Sequence, residues 1–218
     1  MNGLKPIKDT LPVHEPDRNI QDALKITIIS PSFGRFGGLE SFVLTLTRGL
    51  VDAGQQVETL FKQTKDFKLG GDLSEAVKSS GLDARFCRRA GADLFRGIAR
   101  SDVVHVQNPC PDVILMARAL GKPVLINVIN HSRGHGSARE RLWHQCLKRG
   151  NRRFYISEFV RKSWEGPDRW PGSEVVFPVC ALPEMTSPIP GRAGFCFVSR
   201  LIPNKGLEEL LPAYAAAG

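Results

Sequence analysis

A chain of 218 residues, 42% hydrophobic and 24% charged, has the composition of a soluble globular protein with a sizeable core, and room for one large domain or one and a fraction. No apolar run reaches the ~18 residues that a membrane-spanning helix needs, which excludes that class. Thirty Lys+Arg against 22 Asp+Glu give a net charge of +8 and point to anionic partners: phosphorylated ligands, anionic lipid surfaces or nucleic acid.

The first stretch, 1–24, has no apolar core of the secretory type and carries Pro6, Pro12 and Pro16; it is expected to be a flexible extension rather than a signal peptide. Five cysteines (Cys87, Cys110, Cys146, Cys180, Cys196) are scattered without a C-x-x-C pair. That argues for a reducing, cytoplasmic setting and against structural zinc, and no cysteine sits in a recognisable activating context.

KITIIS at 25–30 is a β-branched run of the kind buried on both faces of a sheet. A glycine-rich turn with Gly34, Gly37 and Gly38 follows it. Leu39, Phe42, Val43, Leu46, Leu50 and Val51 then recur at helical spacing, up to a terminating Gly54. The spacing predicts strands over 57–61, 84–87, 103–107, 124–129, 154–156 and 175–177. It predicts helices over 73–80, 92–100, 113–120, 137–149 and, with Ser157 as N-cap, 157–164. Alternation of this kind predicts an α/β domain, 25–178, built as a doubly wound, Rossmann-like parallel sheet with helices on both faces. A proline-rich linker over 179–193 and the opening strand and helix of a second unit, 194–218, complete the expected organisation.

In such a sheet, ligands bind beyond the carboxyl ends of the strands. Gly37 and Gly38 open the first helix there, where a bare backbone lets an anion approach a helix amino terminus. The loop is neither G-x-G-x-x-G nor a Walker A motif, so a turn that needs glycine only for its conformation is the equal alternative. His131 follows the fifth strand, where it could hold a hydroxyl or phosphate; a solvent-facing loop histidine is the alternative. His131 and His135 share an H-x3-H spacing, but no helix supports the pair and no metal site is expected. His105 lies within a strand and reads as a satisfied core residue. Arg200 and Lys205, in RLIPNKG at 200–206, flank a strand-to-helix turn and could converge on a diphosphate, or be two surface charges. Seven basic residues between Arg133 and Arg153 interleave with Leu142, Trp143, Cys146 and Leu147. A sheet-covering helix with a solvated basic face is favoured there over a helix resting on anionic lipid.

Taken together, GGLE at 37–40, DVVHVQ at 102–107, ISEFV at 156–160 and VSRLIPNKGL at 198–207 resemble the GT-B glycosyltransferases, in particular the retaining group often called family 4. The resemblance implies two facing Rossmann-like domains, an acceptor held on the first and a nucleotide-sugar donor mostly on the second. Gly38, with Gly37 making room, would offer backbone N–H to the donor, His131 would sit by the transferred sugar, and Arg200 with Lys205 would stabilise the departing nucleoside diphosphate. It implies no cofactor and no metal, because the two cations take over that work. Gln107 stands where the family often carries a second histidine, and the acidic Glu-x7-Glu motif of the second domain is absent from these residues.

The function so implied is retaining transfer of a sugar to an acceptor hydroxyl, in bacterial polysaccharide, lipopolysaccharide or glycolipid synthesis. The chain is expected to be cytoplasmic, free or peripheral at the inner face of the membrane, with no nucleic-acid partner. It is also expected to be truncated early in the donor-binding domain and inactive alone. Two other readings stand beside this one: a non-catalytic glycan- or membrane-surface-binding domain, and a nucleotide-sugar epimerase on the same fold.

Overall fold

β-branched residues on both faces of a strand need cover on both sides, and β1 (Lys25–Ser32) receives it: Ile28 and Ile29 point to opposite faces and both are fully buried. The structure is a computed structural model and describes residues 23–132, 134, 136–178 and 206–217. The chain divides into two compact units, Met1–Ala181 and Leu182–Gly218.

In the first unit β1 leads to α1 (Gly38–Asp52), β2 (Gln56–Gln63), α2 (Gly71–Ser79), β3 (Ala84–Cys87), α3 (Ala92–Arg100) and β4 (Val103–Gln107). Then come α4 (Pro111–Ala119), β5 (Val124–Val128), α5 (Ala138–Lys148), β6 (Arg152–Tyr155), α6 (Glu158–Glu165) and β7 (Ser173–Val175). The seven strands lie in the order β3-β2-β1-β4-β5-β6-β7, and every pairing is parallel. This is the doubly wound, Rossmann-like α/β sheet that the alternation predicts.

Right-handed crossovers sort the helices by face. Ile28, Val57 and Phe61 pack with Val43 of α1 and with Leu73 and Val77 of α2. On the opposite face Ile29, Leu60, Val104, Val106 and Ile126 pack with residues of α3, α4, α5 and α6. Each fully buried Leu, Ile or Val contributes roughly 1.5–3 kcal/mol, so this second layer is the main source of cohesion.

Local chemistry ends the helices. At α1, the N–H of Gly54 reaches Val51 O and that of Gln55 reaches Leu50 O, a paired closure that needs the left-handed φ of +83° at Gly54. Ser157 caps α6, accepting from Val160 N, and Ser137 caps α5, accepting from Glu140 N. No helix among the described residues is long and apolar enough to cross a membrane.

Several expected boundaries shift by one or two residues, those of β2, β6 and β7 among them. β2 continues two residues past Phe61. β6 starts at Arg152 rather than 154, because Arg153 is a buried strand residue whose guanidinium bonds Leu147 O, Gly150 O and Ser173 Oγ. β7 lies two residues earlier than expected, which leaves Val176 and Phe177 exposed beyond its end.

In the second unit α7 (Leu207–Ala217) follows Gly206, whose carbonyl accepts from Leu210 N, and it accommodates Pro212 internally. The expected strand at 195–198 and the linker lie outside the described residues.

Candidate functional site

The strand order reverses direction between β1 and β4, so the chain leaves β1 toward one face and β4 toward the other. The resulting crevice at the carboxyl edge is bounded by the loop after β1 and the loop after β4.

The first of these loops is held by its neighbour. Thr64 N donates to Ser32 O (3.1 Å), Lys68 N to Phe33 O (3.1 Å) and Gly70 N to Gly34 O (2.6 Å), so the 64–70 segment lies along it. Gly34 has φ +89°, and a Cβ there would fall 2.1 Å from Lys68 O. The purely conformational use of glycine therefore applies at Gly34. Gly37 is extended, a conformation any residue adopts, and a Cβ at Gly38 would meet nothing within 4 Å.

Gly37 is also the N-cap of α1 and offers it no side-chain oxygen. The amino end of α1 thus presents bare backbone and open space, with the partial positive charge of a helix terminus behind it. Glu40 tempers that charge. Its carboxylate turns back to 3.4 Å from the Cβ position of Gly37, so a hydroxyl-rich ligand suits the end of α1 as well as a phosphate does.

On the far side of the crevice, Gln107 ends β4 fully buried. Its Oε1 accepts from Asn127 Nδ2 (2.9 Å), while its Nε2 has no hydrogen-bond partner among the described residues. Ser30 is the next position in register on β1, and its buried Oγ is likewise unpartnered. Two orphaned polar atoms side by side at the switch point each carry a desolvation cost that a ligand or water would remove. His105, two residues earlier on the same face, is a half-buried strand residue and not a satisfied core one: its ring packs edge-on to Phe154, and its buried Nε2 has no hydrogen-bond partner among the described residues. Burial pushes its pKa down to about 4.

His131 lies beyond β5 on the same edge, exposed, with its ring centroid 5.9 Å from that of Phe159. The backbone on both sides of it is tied down. Asn130 O accepts from Trp164 Nε1 (2.7 Å), and Ser132 N donates to Ser163 Oγ (2.9 Å). Asn108, at φ +59°, accepts through Oδ1 from the N–H groups of Ile129 and Asn130. Asn108 escapes a reading of the sequence, although Asn-Pro after a strand is a turn signal.

The structure thus brings Gly37, Gly38 and His131 to one edge, with β4 between the strands that lead to them. Arg200 and Lys205 lie outside the described residues, as do Arg133 and His135. α5 is a sheet-covering helix: Cys146 and Leu147 are buried, Arg139 lies over the Trp143 ring and Lys148 over that of Trp170. Arg153, counted with the basic stretch, is interior instead.

No protein-family model matches the chain, and no curated protein matches it. Solved structures do. A glycosyltransferase from Rickettsia africae ESF-5 superposes with a TM-score of 0.51 at 15% identity, over 72% of this chain and 43% of that one. At this identity the likeness establishes a shared fold. Two weaker likenesses are to Phytolacca americana UGT2 (TM-score 0.47, 9% identity, 74% of this chain and 56% of that one) and to the glycotransferase of kitacinnamycin (0.46, 13%, 79% and 56%). The chain spans less than two thirds of the length of each.

Proposed function

We propose that this chain supplies the acceptor-side domain of a glycosyltransferase, which moves a sugar from a nucleoside diphosphate to an acceptor hydroxyl with retention. The observation that carries this reading is Gly38: it stands at the amino end of α1, beside the switch point, where neither backbone conformation nor packing calls for a glycine. A bare N–H with open space above it suits close approach by a sugar or diphosphate. The shared fold and the sequence resemblance support the same reading.

In this reading His131 faces the transferred sugar from the β5 side. Arg200 and Lys205 neutralise the negative charge that grows on the leaving diphosphate as the glycosidic bond breaks, work otherwise suited to a metal ion. The exposed basic residues of α5 are placed to favour an anionic, membrane-associated acceptor in envelope glycan synthesis.

The test uses the full-length gene product and a panel of sugar nucleotides, followed by calorimetry and by transfer assays. Gly38→Val should abolish donor binding with the fold intact. Arg200→Ala and Lys205→Ala should each lower turnover about 100-fold, by analogy with the loss of one oxyanion donor. Conversion of the sugar nucleotide without any acceptor would identify an epimerase instead. Binding of glycan with no turnover of any donor would identify a non-catalytic domain.

A further inference from the structure

At the same carboxyl edge of the sheet, on the face covered by α3 to α6, β2 ends with a buried ammonium. Lys62 is 6% exposed, and its Nζ lies 2.8 and 2.9 Å from the two carboxylate oxygens of Asp112 and 2.6 Å from Cys110 Sγ. Sγ in turn donates to Asp112 Oδ1 at 3.3 Å, and Arg89 Nε approaches the same carboxylate at 3.4 Å. Cys110 is the N-cap of α4, and Pro111 follows it in the first turn. The three side chains therefore join the end of β2 to the start of α4, across the end of β1.

Asp112 alone provides the counter-charge that a buried ammonium needs. The contact with sulfur is a separate feature. At 2.6 Å it is shorter than an ordinary N–H···O bond of about 2.9 Å, although sulfur is the larger atom. That separation exceeds a direct N–S bond and equals what two single bonds to one shared oxygen span. Burial pushes the Cys110 thiol up to about 11, and the resting pair is a thiol beside an ammonium. Burial by itself would lower Lys62, but Cys110 and Asp112 outweigh it and hold the pKa above its ordinary value.

We propose that Lys62 and Cys110 form an oxidation site at which Nζ and Sγ become covalently joined through one oxygen, Nζ–O–Sγ, on exposure to a peroxide. Ionisation of the thiol, its proton passing through Asp112 to water, gives the reactive thiolate, which a first peroxide oxidises to a sulfenic acid, leaving as water once its hydroxide takes up a proton. Asp112, whose carboxylate is partly open to solvent, takes a proton from the ammonium and passes it to water. The sulfenic O–H and one N–H of the neutral amine are then lost as the N–O bond forms. Their two hydrogens and two electrons reduce a second peroxide to two waters. In sum, one amine, one thiol and two peroxides give the bridge and three waters, with nitrogen and sulfur each oxidised by two electrons. The bridge closes a loop between residues 48 apart and restricts the unfolded chain as a disulfide does.

The experiment is peroxide treatment of the full chain, followed by intact-mass measurement and peptide mapping. The expected product gains one oxygen and loses two hydrogens. It links the peptide containing Lys62 to that containing Cys110, resists trypsin after Lys62, melts at higher temperature and reverts with dithiothreitol. Cys110→Ser and Lys62→Arg, the latter keeping a cation for Asp112, should both abolish it; circular dichroism checks that each folds. If the arginine variant does not fold, the cross-linked peptide and the serine variant decide alone. Oxygens added to Cys110 with normal cleavage after Lys62 would overturn the proposal. A loss of two hydrogens without oxygen, which marks an S–N bond or a disulfide, would overturn it too, as would a Cys110 that does not react.

Discussion

Asn108 holds the backbone of Asn130: its Oδ1 accepts from the N–H of Asn130 at 3.1 Å and from that of Ile129 at 3.0 Å, which fixes the exit from β5 immediately before His131. The residue does this from a left-handed backbone, φ +59°, which asparagine tolerates better than most residues.

Two substitutions separate the side-chain bonds from the backbone preference. Asn108→Gly removes the bonds and relaxes the backbone, and should cost about 1–2 kcal/mol. Asn108→Ala removes the same bonds and keeps a Cβ at positive φ, adding roughly 1 kcal/mol. Urea unfolding of both variants measures the difference. Equal losses would mean that the left-handed backbone is not a strained one. In either variant the Asn130 amide should exchange with solvent faster than in the parent.

The glycines of the β1–α1 loop divide in the same way. Gly34→Ala drives a methyl into the backbone of Lys68 at a φ of +89°, and should cost about 3 kcal/mol or more or prevent folding. Gly38→Ala enters open space at the first position of a helix and should leave the melting temperature unchanged or slightly raised. A destabilised Gly38→Ala would return that glycine to a structural role and remove the main support for the proposed site.

How far the sequence announces this arrangement depends on the range of each interaction. β3, α3 and β4 begin and end where their periodicity predicts, because short turns and apolar spacing are local signals. The start of β6 is hidden, since two arginines in a strand read as surface until the carbonyls of residues 147 and 150 are in place around Arg153. The position of His131 beyond the carboxyl end of β5 is legible from the strand pattern. The division of labour among Gly34, Gly37 and Gly38 is not, because it depends on the path of residues 64–70. The contact between Lys62 and Cys110 leaves no local trace, so a cysteine that looks unremarkable in sequence turns out to touch a buried lysine.

His105 makes stability depend on pH. Burial lowers its pKa from 6.5 to about 4, so the folded chain keeps the imidazole neutral while the unfolded chain protonates it below 6.5. The unfolded state then binds more protons, and stability falls as pH drops from 6.5 toward 4, with no further loss from this group below that. At about 1.4 kcal/mol per unit, the loss across this window is at most about 3.5 kcal/mol. Carboxylates titrate nearby, so the measurement is a comparison: His105→Leu should flatten the stability profile over this range relative to the parent. Parallel profiles would mean that His105 takes up its proton without unfolding.

A polar network between β6 and α6 centres on Glu165, whose carboxylate is fully buried at the end of α6. It accepts from Tyr155 Oη (2.8 Å), Trp170 N (3.0 Å), Arg161 Nη1 (3.4 Å) and the Ser173 hydroxyl, with Arg153 Nε at 3.8 Å. Burial first, and the carboxylate next, push the Tyr155 phenol far above its ordinary pKa, so it donates at every physiological pH. Glu165→Leu strips the counter-charge from the buried guanidinium of Arg153 and one of two carboxylate partners from Arg161, which keeps Glu158, and should cost about 3–5 kcal/mol. Tyr155→Phe removes one donor from an acceptor that keeps its other partners, and should cost only about 1 kcal/mol. Arg153→Met in the Glu165→Leu background should recover part of the loss, because it removes one uncompensated charge from the interior. Thermal and urea unfolding of the three variants checks the ranking. If Tyr155→Phe proved the costliest, the hydrogen bond from the phenol, and not the buried charge, would be what holds β6 and α6 together.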